Sequence, residues 1–176
     1  MVSYDNTSKI LQGESDRGAV LIAAAMLELG LEKLLSAKML PSTTTKDPVF
    51  DNNGALGTFS SKIEMSYRLG LITEKQKDMF NIFRKIRNDF AHSADNISLD
   101  HSKIKDRLFA AIEGHKAKDA FFNELQKAAP KLGIDANSIN NDSVSIRMLF
   151  ELIFGLEVEF LDIALMGVVR VEEKFG

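Results

Sequence analysis

Residues 84–93, with the sequence RKIRNDFAHS, carry the side chains of this chain that are best suited to chemistry on a phosphate. Histidine titrates near neutral pH and can act as general acid or base, so His92 is a candidate for proton transfer. Arginine can stabilise a phosphate in a transition state, a role that suits Arg87, and Asn88 can orient either side chain. Together the three residues have the right types for metal-free cleavage of RNA.

The spacing of these residues limits how they can meet. In an uninterrupted helix, Arg87 and His92 point about 140° apart with Cα atoms roughly 8–9 Å from each other. Asn88 and His92, four residues apart, share a face. Arg87 therefore reaches His92 only if the helix ends near Ala91 and the side chain bends over, or if the two meet across a twofold axis. The structural alternative makes His92 an exposed residue favoured by the helix dipole and Arg87 a salt-bridge partner.

Four charged residues fall on or beside the apolar stripes of the helices predicted below: Arg17, Glu28, Arg87 and Glu157. Burying an unpaired charge is unfavourable, so we expect these groups to be partly or wholly buried and to be paired. One interpretation is an internal salt-bridge network that fixes the packing of three helices. The other is a pocket whose charges serve a ligand or a reaction.

The elements that position these residues are helices, since no alternating run of β-branched residues is long enough to predict a sheet. Ser15 is the expected N-cap of the first strong helix, and Thr73 with Gln76 predicts a capping box. The predicted helices span residues 16–38, 58–69, 73–92, 103–113 and 116–129, and a last one begins at residue 143. We predict a single all-α bundle of about six or seven helices over residues 15–172, preceded by a polar segment, residues 1–14.

Composition excludes several classes of protein. The chain has no cysteine, which excludes disulfides and thiolate metal sites. His101 and His115 have no suitably spaced co-ligands, so no metal and no cofactor is predicted. The net charge of -3 and the absence of an obvious basic patch count against simple DNA binding, although atypical DNA contacts stay open. No signal peptide and no membrane span is predicted, which favours a cytoplasmic protein without membrane contact.

Two weaker patterns concern surfaces. Gly54 and Gly57 precede a helix whose first turn holds Thr58 and Ser60, where backbone amides could bind an anion; a simple turn is the favoured interpretation. The last helix is apolar nearly all round, more than one small bundle easily covers, and this predicts a homodimer.

Three blocks of sequence resemble the mannitol operon repressor (MtlR) family of bacteria. They are SDRGAVLIAAAMLELGLEKLL from Ser15, FDNNGALGTFSSKIEMSYRLGLIT from Phe50 and FRKIRNDFAHS from Phe83, and the resemblance runs from about Ser15 to Ala164. It implies an all-helical cytoplasmic protein that represses a mannitol-utilisation operon. It also implies the lack of a recognisable helix-turn-helix, with repression through a protein partner or through DNA.

A looser resemblance concerns Arg87 and Asn88 followed by His92, which is similar to the R-x4–6-H motif of HEPN domains. These are helical bundles that often dimerise, some acting as metal-independent ribonucleases and others only binding. The resemblance implies that Arg87 and His92 would be the catalytic pair and Asn88 their polar neighbour.

Three functional hypotheses follow from the sequence. The leading one is a transcriptional regulator of the mannitol-repressor type, which would not be an enzyme. The second is a HEPN-like ribonuclease or RNA-binding module. The third is a pure interaction protein that uses the polar face around Asn81, Arg84, Lys85 and Asn88.

Overall fold

The architecture is entirely helical in the computed structural model, which describes residues 4–93 and 97–174. These residues form seven α-helices and no β-strand, so the predicted all-α fold is confirmed. In chain order the helices are α1 (Tyr4–Gln12), α2 (Asp16–Lys38), α3 (Phe59–Arg68), α4 (Glu74–His92), α5 (Ser102–Ala111), α6 (Lys116–Ala128) and α7 (Ile146–Met166). Two short 3-10 helices, Ala129–Leu132 and Ala136–Ser138, lie between α6 and α7.

Hydroxyl side chains cap the first turns of four of these helices, with Ser145 as the cap of α7. The amide of Gly18 donates to Ser15 Oγ at 3.1 Å, which is the N-cap predicted for α2. Thr73 and Gln76 form the predicted capping box of α4, and Thr58 caps α3. Each cap joins residues only three positions apart, and for this reason a local sequence pattern locates it.

Helix α7 lies at the centre of the bundle, where it packs against α1 and α2. The ring of Phe154 on α7 stacks with Phe83 of α4 at 4.0 Å between centroids, and it meets Phe150 in a tilted contact at 4.3 Å. A Cβ atom on Gly30 of α2 would lie 2.8 Å from Leu161 Cδ1, so α2 and α7 approach closely there. A large apolar area is therefore buried along most of α7.

The last turns of α7 are different, because large apolar side chains stay exposed there. Phe160, Ile163 and Met166 keep 44%, 49% and 71% of their surface accessible. Within the described parts of the chain, no helix combines the length and apolar character needed to cross a bilayer.

The N-terminal segment contributes a helix that the sequence analysis did not predict. Residues 4–12 form α1, which packs on α7, and Leu11 is completely buried. Its polar composition gives little warning of this, since a single buried leucine anchors the segment to a partner helix more than 130 residues later.

Arg147 on α7 stabilises the contact of α7 with α1 and with the start of α2. Its Nη1 lies 2.8 Å from Asp16 Oδ1, and its Nε lies 2.6 Å from Glu151 Oε1. Its Nη2 also donates to the carbonyl oxygens of Leu11 and Glu14. Burial lowers the pKa of Arg147, but the hydrogen bonds and charges of Glu151 and Asp16 outweigh it and raise the pKa above its ordinary value. One guanidinium thus holds α1, α2 and α7 together.

We expect Arg147→Met to lower the free energy of unfolding by about 2–4 kcal/mol, because it leaves the buried Glu151 without its counter-charge. Urea denaturation measures this loss. Arg170→Met, at an exposed position, is the matched control and should stay within about 0.5 kcal/mol of the parent. Equal stability of the two variants would contradict the role given to Arg147.

Candidate functional site

Arg87 and His92 do not converge within one chain. Helix α4 continues through His92, so the 140° separation of an uninterrupted helix applies to the pair. His92 is exposed at the last helical position, whereas Arg87 is partly buried. Arg87 Nη1 instead donates to Asn88 Oδ1 at 3.1 Å. A reaction that needs Arg87 and His92 together would therefore require His92 from a second subunit.

Arg87 lines a polar cavity of about 430 Å³ between α2, α4 and the start of α3. We call it the arginine pocket; its lining includes Glu28, Thr58, Ser60, Arg84, Arg87 and Asn88. The sequence analysis linked two of these residues, Glu28 and Arg87, through their expected burial. It placed Arg84 on a polar face, and it placed Thr58 and Ser60 in a helix start that could bind an anion, with a simple turn as the favoured interpretation.

The four charges expected to be buried are distributed over separate places. Glu28 and Arg87 share the arginine pocket, while Glu157 lines a different cavity. Arg17 Nη2 donates to the carbonyl oxygen of Ser93 at the end of α4, at 2.8 Å. Of the four, only Glu157 is fully buried, and the other three are partly buried.

The ionic partner of Glu28 is Lys62, which the sequence analysis missed. Lys62 Nζ lies 3.0 Å from Glu28 Oε1 and 2.8 Å from Glu32 Oε2, and the lysine is only 5% exposed. Burial lowers the pKa of Lys62, but the hydrogen bonds and charges of Glu32 and Glu28 outweigh it and raise the pKa above its usual 10.5. Lys62 is therefore charged at neutral pH and binds α3 to α2.

A local signal for Lys62 did exist. Phe59, Lys62, Ile63 and Ser66 are the buried residues of α3, spaced as one helical stripe. A lysine inside such a stripe needs an acidic partner on the neighbouring helix, by the same reasoning that singled out Glu28.

Glu157 lies at the base of a second cavity, of about 530 Å³. We call it the Glu157 groove; its lining includes Gln76, Met79, Ile82, His115, Glu157 and Phe160. Gln76 Nε2 donates to Glu157 Oε2 at 2.9 Å, and His115 Nε2 lies 3.0 Å from Glu157 Oε1. Because His115 Nδ1 accepts from the amide of Ala117, Nε2 carries the ring proton that bonds Glu157.

This arrangement joins three helices around one carboxylate. Gln76 belongs to α4, Glu157 to α7, and His115 caps the start of α6. The sequence analysis treated His115 as isolated, since its partner lies 42 residues away. Over residues 4–93 and 97–174, no group of three or more His, Cys, Asp or Glu side chains is placed to hold a metal ion.

Comparisons with known proteins identify the fold. No family model matches the sequence, and no curated protein matches it. Among solved structures, a chain in the X-ray structure of the MtlR–HPr complex from Escherichia coli is similar, with a TM-score of 0.62 and 12% identity. The likeness covers 90% of this chain and 97% of that chain. At this identity it shows a shared fold over almost the whole length of both chains.

We expect Arg87→Met to change the free energy of unfolding by no more than about 0.5 kcal/mol, since Arg87 contacts no carboxylate among the described residues. Methionine also keeps the apolar stem in place. Lys62→Met is the comparison variant and should cost about 1–3 kcal/mol, because Glu28 and Glu32 lose their shared cation. Thermal and urea unfolding measure both. An Arg87 variant as unstable as the Lys62 variant would assign Arg87 a structural role.

Proposed function

We propose that this chain is a cytoplasmic regulator of transcription of the mannitol-repressor type, and that it acts by binding a protein partner related to HPr. The single observation that carries the proposal is the likeness to a chain solved as part of an MtlR–HPr complex, over 90% of the present chain. The three sequence blocks that resemble the mannitol operon repressor family also support it.

Charge favours a protein partner over direct reading of DNA. The chain carries a net charge of -3, whereas proteins that grip a phosphate backbone present a basic face. The polar stripe of Asn81, Arg84, Lys85 and Asn88 is the contact surface that we propose. All four side chains are at least partly accessible, and their spacing puts them on one side of α4.

The first test is direct binding, measured by calorimetry with purified HPr from the organism that carries this chain. We expect a complex, and we expect Lys85→Glu to weaken it at least tenfold because the substitution reverses the charge of the most exposed residue on the stripe. Lys33→Glu, at an exposed position on α2, is the matched control and should leave the affinity unchanged. Absence of any complex at high micromolar concentration would refute the HPr proposal.

The second test concerns the operon. Deleting the gene should raise expression of the mannitol-utilisation genes in cells grown without mannitol, as measured by quantitative transcript analysis. Unchanged expression together with HPr binding would reject mannitol repression while leaving the partner proposal standing.

An RNA-directed function is the second candidate, favoured by the bonded pair of Arg87 and Asn88 in a pocket where Arg87 has no acidic partner among the described residues. Because α4 separates Arg87 from His92, we propose that any cleavage would use His92 of a second subunit. Purified protein should then degrade single-stranded RNA without metal, and His92→Ala should abolish this. If the parent protein and the His92→Ala variant both leave the RNA intact, the RNA-directed function is rejected.

A homodimer is proposed through the exposed end of α7, where Phe160, Ile163 and Met166 form an apolar patch. Light scattering at micromolar concentration should give twice the chain mass, and Ile163→Glu should shift it to the mass of one chain. A monomeric parent protein would contradict this proposal.

A further inference from the structure

We propose that the arginine pocket binds a small organic phosphate that also carries hydroxyl groups. The chemistry of this ligand site differs from that of the partner proposal above, and ligand binding does not require HPr. The arginine pocket and the polar stripe share Arg84 and Asn88, so a ligand in the pocket would alter the proposed partner-binding surface.

The first observation is a pair of arginines without acidic partners. Arg107 and Arg147 each form salt bridges, whereas neither Arg84 nor Arg87 lies within 4 Å of a carboxylate oxygen of any described residue. Arg84 Nε is buried with no hydrogen-bond partner. Two guanidinium groups facing one cavity repel each other, so their placement there calls for an anion.

The acid of the pocket does not neutralise them. Glu28 lines the cavity but is bonded to Lys62 at 3.0 Å, and Lys62 is shared with Glu32 at 2.8 Å. The lining holds two arginines and one carboxylate, and adding the neighbouring Lys62 and Glu32 gives three cations and two carboxylates, so either count leaves one net positive charge. The Lys62 cluster thus holds the wall in place and leaves Arg84 and Arg87 for a ligand.

The start of α3 adds donors to the same cavity. Phe59 and Ser60 occupy the first positions of this ten-residue helix and line the pocket. The first amides of an α-helix have no partner within the helix, and its N-terminus carries partial positive charge. These amides would donate further hydrogen bonds to an anion whose charge is balanced by Arg84 and Arg87.

Two glycines bring this helix end close to the loop before it. A Cβ atom on Gly57 would lie 2.1 Å from Asp51 O, and one on Gly54 would lie 2.3 Å from Pro48 O. The amide of Gly57 donates to Gly54 O at 3.1 Å, so it is engaged in the turn. The glycines therefore build the turn that shapes the pocket wall.

The size and the remaining lining set the class of ligand. A cavity of about 430 Å³ is larger than a bare phosphate needs. Asn52, Ser60 and Asn88 supply amide and hydroxyl groups that both donate and accept hydrogen bonds. Such groups suit the hydroxyls of a polyhydroxylated phosphomonoester, whose phosphate would be held by Arg84 and Arg87.

The experiment is a calorimetric titration of the full chain at low ionic strength with glycerol 3-phosphate, inorganic phosphate and glycerol. We expect glycerol 3-phosphate to bind more tightly than inorganic phosphate, and glycerol not to bind. Arg84→Met and Arg87→Met should each weaken glycerol 3-phosphate binding at least tenfold. Arg68→Met, at an exposed position at the other end of α3, is the matched control and should change it less than twofold.

A second variant covers the case in which an arginine substitution unfolds the chain. Ser60→Glu places a carboxylate in the first turn of α3, where acidic residues favour the helix, so this variant should fold and lose phosphate binding by occupying the arginines. The proposal is overturned if no phosphate binds at millimolar concentration, or if Ser60→Glu and Arg87→Met bind like the parent. It is also overturned if a single-stranded RNA oligonucleotide binds through Arg87 and glycerol 3-phosphate fails to compete.

Discussion

The pair of salt bridges from Arg147 to Asp16 and Glu151 is the interaction on which the rest of the architecture depends. It brings the junction of α1 and α2 onto α7, so that α7 can lie at the centre and α2 can offer one face to α3 and α4. The general constraint behind it is that a charge taken out of water needs a counter-charge or several hydrogen bonds. Lys62 and Glu157 satisfy the same constraint elsewhere, each by joining helices that are distant in sequence.

Against this background the arginine pocket is distinctive. Lys62 and Arg147 are matched by acids, whereas Arg84 and Arg87 line a cavity whose one carboxylate, Glu28, is bonded to Lys62. Unmatched charge of one sign lowers stability, and it is retained at sites where a ligand supplies the balance. The interpretation offered by the sequence, in which Arg87 belongs to a ligand pocket, therefore has more support than an internal network of Arg17, Glu28, Arg87 and Glu157.

The fold and the function of this chain depend on different features of the molecule. The likeness to a chain of the MtlR–HPr complex covers nearly all of both chains at 12% identity, which is sufficient to establish a common helical architecture. Regulation, partner and ligand depend on individual side chains on that architecture, because one fold hosts many functions. Substitutions of Arg84, Arg87 and Lys85 on α4 distinguish these proposals from one another.

Local signals in the sequence determined the helices. The caps at Ser15 and Thr73 and the apolar stripe of α2 act over three or four residues, which is why the bounds of α2 and the start of α4 could be predicted. Helix α1 escaped prediction because its anchor, Leu11, is buried by a helix that begins with Ile146. Only the tertiary structure decided which charges meet: Lys62 lies 34 residues from Glu28, and Arg147 lies 131 residues from Asp16. Helical periodicity predicts that a charged side chain faces inward, but the packing of whole helices determines which residue pairs with it.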